Sequence, residues 1–180
     1  MPIPTHERLV AKLLLARHCR KIPLTDTAAI IREQEAALRN IFEAHPNHLT
    51  LPVQIKRIPG LEAVSTNYSL AMVADHLARV NHAIAALLTE LAANRASNMS
   101  ADPADYKPPT DAQPEPSLQS LVDAHVAIER ALANTDPIEQ STLNHTHPWF
   151  GPLPARNWAC FPTFHNQIHL KQAHLIAKGL

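Results

Sequence analysis

The chain has 180 residues, 46% of them hydrophobic, with 16 Lys+Arg against 16 Asp+Glu, so a single domain over 1–180 with a sizeable core is expected. The charge balance argues against nucleic acid as a partner, because no basic excess is available to neutralise a run of phosphates. Three isolated glycines, Gly60, Gly151 and Gly179, leave no dinucleotide fingerprint or P-loop, and two cysteines, Cys19 and Cys160, make neither a disulfide framework nor a cysteine metal site.

Sixteen prolines without one Asn-Gly or Asp-Gly turn point to an all-α chain with proline-marked connections rather than to hairpins. The first 21 residues mix Glu7, Arg8 and Lys12 into their apolar positions and lack a small-residue cleavage site, and no apolar run reaches the ~18 residues of a membrane span. A cytoplasmic protein with no membrane partner is the expectation. A first helical segment at about 5–19 carries Leu9, Val10 and Leu13, an apolar face that would either cover an end of the fold or join a second copy as a homodimer.

Four longer helices follow. The first covers about 26–45, entered through Thr25, Asp26 and Thr27 and apolar along Ile30, Ile31, Leu38, Ile41 and Phe42. The second, about 69–94, repeats Leu70, Val73, Leu77, Val80, Ile84, Leu87 and Leu91 at alternating spacings of three and four. The third, about 117–134, carries Leu118, Leu121, Val122, Ile128 and Leu132; the fourth, about 154–178, carries Trp158, Phe161, Ile168, Leu175 and Ile176. Four amphipathic stripes bury one another most simply as a four-helix bundle. The stretch at about 97–117 is rich in Pro, Asp and Ser and has no periodicity. Extended, it reaches more than about 60 Å, enough to return the chain to the start of the second helix as a crossover, or it is a slack linker between antiparallel neighbours.

Twelve histidines scattered at random over 180 residues would give about 0.8 pairs at i,i+4, so the pair His165 and His169 gains weight only from its position. Both fall on the face of the fourth helix that carries Phe161, Ile168, Gln172 and Ile176. A buried imidazole needs a partner, and a divalent metal satisfies one nitrogen from each ring; a hydrogen-bonded core network does so too. His76 lies beside the stripe of the second helix, and if the second and fourth helices run antiparallel its height agrees with that of His169 within a turn. His125 competes for the third position from the stripe of the third helix, where a histidine is more often a core residue bonded to a carboxylate or to backbone. The other histidines, among them His18, His145 and His147, fall in loops, at helix ends or on less apolar faces and read as solvated or capping.

The run from Tyr68 and Ser69 to His76, an aromatic, a Ser cap and a His seven residues after the Ser, resembles the start of the second helix in the DinB (YfiT-like) superfamily. The run His147-Pro148-Trp149-Phe150-Gly151, followed by Trp158 and by His165 to His169 and Gln172, is similar to the C-terminal ending of a DinB-related branch. Two departures stand out: Tyr68 replaces the usual Trp, and Pro162 interrupts the fourth helix one turn before His165, where it would kink the helix. The resemblance implies an all-α four-helix bundle with one long crossover, and a metal site whose ligands fall on His76, His165 and His169. Trp149, Phe150 and Trp158 either line a pocket over that site, with His125 and His147, or anchor the loop to the bundle.

Three neutral imidazoles leave a coordination position open, the arrangement of a catalytic rather than a structural metal. Zn suits such a donor set, and Ni, Fe and Mn accept imidazole as well. The family chemistry implied is transfer or isomerisation of a small-molecule substrate with a low-molecular-weight thiol such as bacillithiol or mycothiol, with metal-dependent hydrolysis second. Against hydrolysis stands the lack of a general base, since no Glu shares the histidine face and Asp75 projects about 100° from His76. Lys171 and Arg79 are charges that either meet an anionic substrate or face solvent. The rival reading is a non-catalytic binding or dimerisation bundle whose histidines are a polar network or a vestige.

Overall fold

A computed structural model describes residues 5–100 and 102–180. Six helices form among the described residues: α1 (Thr5–Lys21), α2 (Thr27–Ala44), α3 (Leu70–Ala92), α4 (Pro114–Ala131), α5 (Asp136–Gln140) and α6 (Ala155–Ala177). The four long helices lie within three residues of where periodicity puts their ends. The largest early difference is α4, which begins at Pro114 rather than near Ser117. Proline is tolerated there because the first-turn N–H groups have no intrahelical partner to lose. Ser69 caps α3 by accepting the Met72 N–H on Oγ at 3.2 Å, and Asn94, with φ of 52°, supplies the left-handed residue beyond its other end.

Two apolar clusters set the relative directions of the helices. In one, Leu70 to Ala78 of α3 meet Leu38, Ile41 and Phe42 of α2, Leu121 of α4, and Ala173 and Ile176 of α6. In the other, Ile84 to Leu91 of α3 meet Ile128 and Leu132 beyond them, together with Trp158, Ala159 and Phe161 of α6 and Leu15 of α1. Start packs on start for α3 and α4, which run parallel; start packs on end for α3 and α6, which run antiparallel. The segment between α3 and α4 is therefore a crossover and not a slack linker. It is pinned by a 3-10 turn at Pro103–Tyr106, in which Asp102 accepts the Ala104 N–H at 2.9 Å.

A polar layer separates the two clusters. Asn81 donates to His125 Nε2 at 3.2 Å, so the His125 proton sits on Nδ1 and is donated to Glu35 Oε2 at 2.8 Å. That hydrogen bond is the main reason the Glu35 carboxyl is held below the usual carboxylate range. Asn81 also donates to Asn166 Oδ1 at 3.2 Å, and Gln34 donates to the Thr163 carbonyl at 2.8 Å. His125 is thus a core residue satisfied by a carboxylate.

Two short hairpins depart from the all-helical expectation. β1 (Val53–Gln54) pairs with β2 (Asn67–Tyr68), and β3 (Asn144–His147) pairs with β4 (Gly151–Pro154), with His147 opposite Gly151. The second needs no Asn-Gly because its loop is Pro148-Trp149-Phe150, closed by Gly151 at φ of 70°. Helix α6 continues through Pro162, and Cys19 and Cys160 are both free and buried. On α1, Leu15 and Cys19 are buried while Leu9, Val10 and Leu13 stand exposed. No described helix is long and apolar enough to cross a membrane. Replacing the α3 cap, Ser69→Ala, is expected to lower the unfolding free energy by about 1 kcal/mol in urea denaturation, and an unchanged midpoint would show the cap to be dispensable.

Candidate metal centre

His76 lies in the second turn of α3, and His165 and His169 lie one turn apart on α6. Because α3 and α6 are antiparallel, the three heights coincide. Ring centroids are 5.3 Å apart for His76–His165, 4.5 Å for His76–His169 and 4.5 Å for His165–His169. One nitrogen from each ring lies within 4.8 Å of the others, close enough for small ring rotations to close on an ion with bonds of about 2.0–2.1 Å. Continuity of α6 through Pro162 leaves His165 in register with His169.

Hydrogen bonds decide which nitrogen two of these rings present. His76 donates from Nδ1 to the Tyr106 carbonyl at 2.8 Å, which leaves the Nε2 lone pair free. Gln172 donates from Nε2 to the Ser65 carbonyl at 2.7 Å, so its Oε1 is the acceptor for His169 Nδ1–H at 2.6 Å. His169 Nε2 is then also a free lone pair. Among the described residues His165 has no such holder, and its Nδ1 is buried without a partner. An orphaned polar nitrogen costs about 1–3 kcal/mol, and a bound cation is one way to remove that cost. Burial is the first cause that lowers the pKa of all three rings; charge on His169, His76 and His147 adds to it for His165, and charge on His76 adds to it for His169. They are therefore neutral at pH 7, the protonation state a metal requires.

The triad opens into a cavity of about 100 Å³, room for a small molecule rather than a single water. Leu61, Val80, Ile84, Met99 and Phe161 supply apolar walls, and His147, Trp149 and Trp158 join them. His125 and Phe150 do not line it: His125 is held by Glu35 and Asn81, and Phe150 is buried behind His147 with the two rings stacked at 4.4 Å. Trp158 donates its indole N–H to the His145 carbonyl at 2.9 Å, which fixes the wall to β3.

Three other histidine assignments change. His18 is half-buried and bonded to Thr163 Oγ1 at 2.7 Å, His145 is half-buried with its ring 5.6 Å from that of Trp158, and His147 is buried rather than solvated. Burial pushes the His147 pKa down to about 3, and the Trp149 N–H is donated to its Nδ1 at 3.1 Å.

Glu62 and Lys107 line the cavity as well, and neither is legible from helical periodicity. Glu62 precedes the 3-10 turn at Ala63–Thr66, and Lys107 follows the turn in the crossover. The carboxylate that the histidine-bearing helix faces lack thus reaches the cavity from a loop. Arg79 is instead paired with Asp75 at 2.5 Å, and Lys171 is exposed and outside the cavity lining. No family model, curated protein or solved structure matches the chain.

The sign of the acid response follows from the lowered values. Below about pH 6.5 the unfolded chain binds protons at His76, His147, His165 and His169 that the folded chain refuses, so stability is lost as pH falls. For His147 the loss runs from about 6.5 down to about 3, at up to ~1.4 kcal/mol per pH unit. Urea midpoints measured in chelator are expected to fall steadily from pH 7 to pH 4; a flat profile would mean these rings are not buried as described.

Proposed function

We propose that the chain is a divalent-metal-dependent enzyme acting on a small molecule in this cavity, with His76, His165 and His169 as the ligands. The observation that carries the reading is three neutral imidazoles, two of them oriented by hydrogen bonds, converging at one cavity. Zn is the first choice of ion, with Ni, Fe and Mn behind it. The scaffold is read as a DinB-like four-helix bundle of α2, α3, α4 and α6 with α1 added. Its support is the long crossover between the parallel pair α3 and α4.

When bound, such a metal lowers the pKa of a coordinated water or thiol and polarises a carbonyl. The protein's own contribution is to hold the ligands and exclude solvent. The Tyr106 carbonyl and Gln172 keep two protons on Nδ1, and the aromatic and aliphatic walls strengthen every polar contact inside. The resemblance to DinB proteins directs the reaction to thiol-cofactor transfer or isomerisation. A second reading, hydrolysis, is favoured by Glu62, the carboxylate among the cavity-lining residues that can take a proton from water.

Untagged protein purified without chelator is expected to carry close to one equivalent of metal, lost in His76→Ala with an unchanged far-UV circular dichroism spectrum. Wild-type protein that takes up neither Zn, Ni, Fe nor Mn would end the metalloenzyme reading and leave a non-catalytic bundle. Gln172→Met, which keeps the volume but removes both hydrogen bonds, is expected to weaken Zn affinity about 10–100-fold in competition with a chromophoric chelator. Unchanged affinity would mean that Gln172 serves packing alone.

A further inference from the structure

His147 is the one histidine lining the cavity outside the triad. Its ring cannot turn freely: it is stacked on Phe150 at 4.4 Å with an interplanar angle of 17°, and it meets Phe161 at 5.1 Å and Trp158 at 5.5 Å. The Trp149 backbone N–H points at Nδ1 from 3.1 Å, and an N–H can be donated only to a nitrogen that carries no proton. The ring proton therefore sits on Nε2. Among the described residues that nitrogen has no hydrogen-bond partner, and the ring that carries it lines the cavity. The tight turn closed by Gly151 brings the Trp149 amide back onto the ring, so one hairpin both supplies the histidine and selects its tautomer.

We propose that His147 is a fixed, uncharged hydrogen-bond donor that binds a carbonyl or carboxylate oxygen of the cavity's ligand. The inference rests on the cavity being a ligand site, as proposed above, and not on the metal. An N–H donor beside an apolar wall selects a ligand with an apolar body and an acceptor oxygen, and the His147 N–H itself gives an ammonium group no partner. Trp149, Trp158 and Phe161 line the same cavity and suit a flat body. Phe161 lies between the two sites, with its ring 5.1 Å from His147 and 5.4 Å from His165, so one small molecule can reach both.

Benzoate, with an aromatic body and acceptor oxygens, and benzylamine, with the same body and an ammonium, are the probes. Long-range ¹H–¹⁵N spectra of the wild-type protein should show His147 protonated on Nε2 and bare on Nδ1 from pH 5.5 to 8. Benzoate titrations should show binding weakened about tenfold or more in His147→Phe, which keeps the stacked ring. Binding should be largely restored in His147→Gln, whose amide nitrogen falls near the place of Nε2, and benzylamine should not distinguish the three proteins. A proton on Nδ1, no benzoate binding to wild type, or equal benzoate affinity in wild type and His147→Phe would each overturn the proposal. Zinc stoichiometry measured on the same samples separates the two readings. Wild type without zinc but with the expected benzoate pattern would remove the metal and keep the donor; one equivalent of zinc with equal benzoate affinities would do the reverse.

Discussion

Three imidazoles pressed together without a carboxylate among them form the constraint on which the centre of this molecule depends. Protonating any one would place a charge in a desolvated site, and for His165 and His169 a charge on a neighbouring ring opposes it further, so all three are held neutral. Neutral rings still carry polar nitrogens, and the fold answers for them unevenly. His76 and His169 have acceptors brought in by the crossover and by Gln172, while His165 has none. A site that leaves a nitrogen unsatisfied gives up stability that an apolar side chain would have kept.

His125 shows the alternative within the same chain. It lies one helix away, buried like His169 where His76 and His165 are half-buried, and its needs are met on both sides by Glu35 and Asn81. The difference is a single carboxylate. Where Glu35 reaches in from α2, the histidine becomes part of a polar layer shared by α2, α3, α4 and α6; the three histidines at the cavity have no carboxylate bonded to them among the described residues. Burial alone does not separate the two roles, and hydrogen-bond partners do.

The segments between helices do as much to shape the cavity as the helices. The crossover brings the Tyr106 carbonyl to His76 and Lys107 to the lining, the loop before α3 brings Glu62 and the Ser65 carbonyl, and the β3–β4 hairpin brings His147 and Trp149. Each is tied at a defined point, by Asp102 capping a 3-10 turn, by the β1–β2 pairing, and by Gly151 closing a three-residue loop. The cavity has rigid helical walls on one side and a rim of anchored loops on the other.

Helix positions, the faces of α3 and α6, and the matching heights of His76, His165 and His169 were legible in the linear sequence, because a helix has a fixed rise and period. Those two numbers turn residue spacing into direction and depth. The assignment of His125 to the core was only a preference at that level, since its partner Glu35 is 90 residues away and belongs to another helix. The roles of Glu62, Lys107, Tyr106 and Gln172, and the buried state of His147, came from tertiary structure alone. They depend on where irregular backbone is pinned and on which carbonyl or amide meets which ring nitrogen, and neither has a period in the sequence. The sequence alone thus determined which side chains face inward, whereas the packing of distant segments decided which of them are satisfied and which are left free to bind.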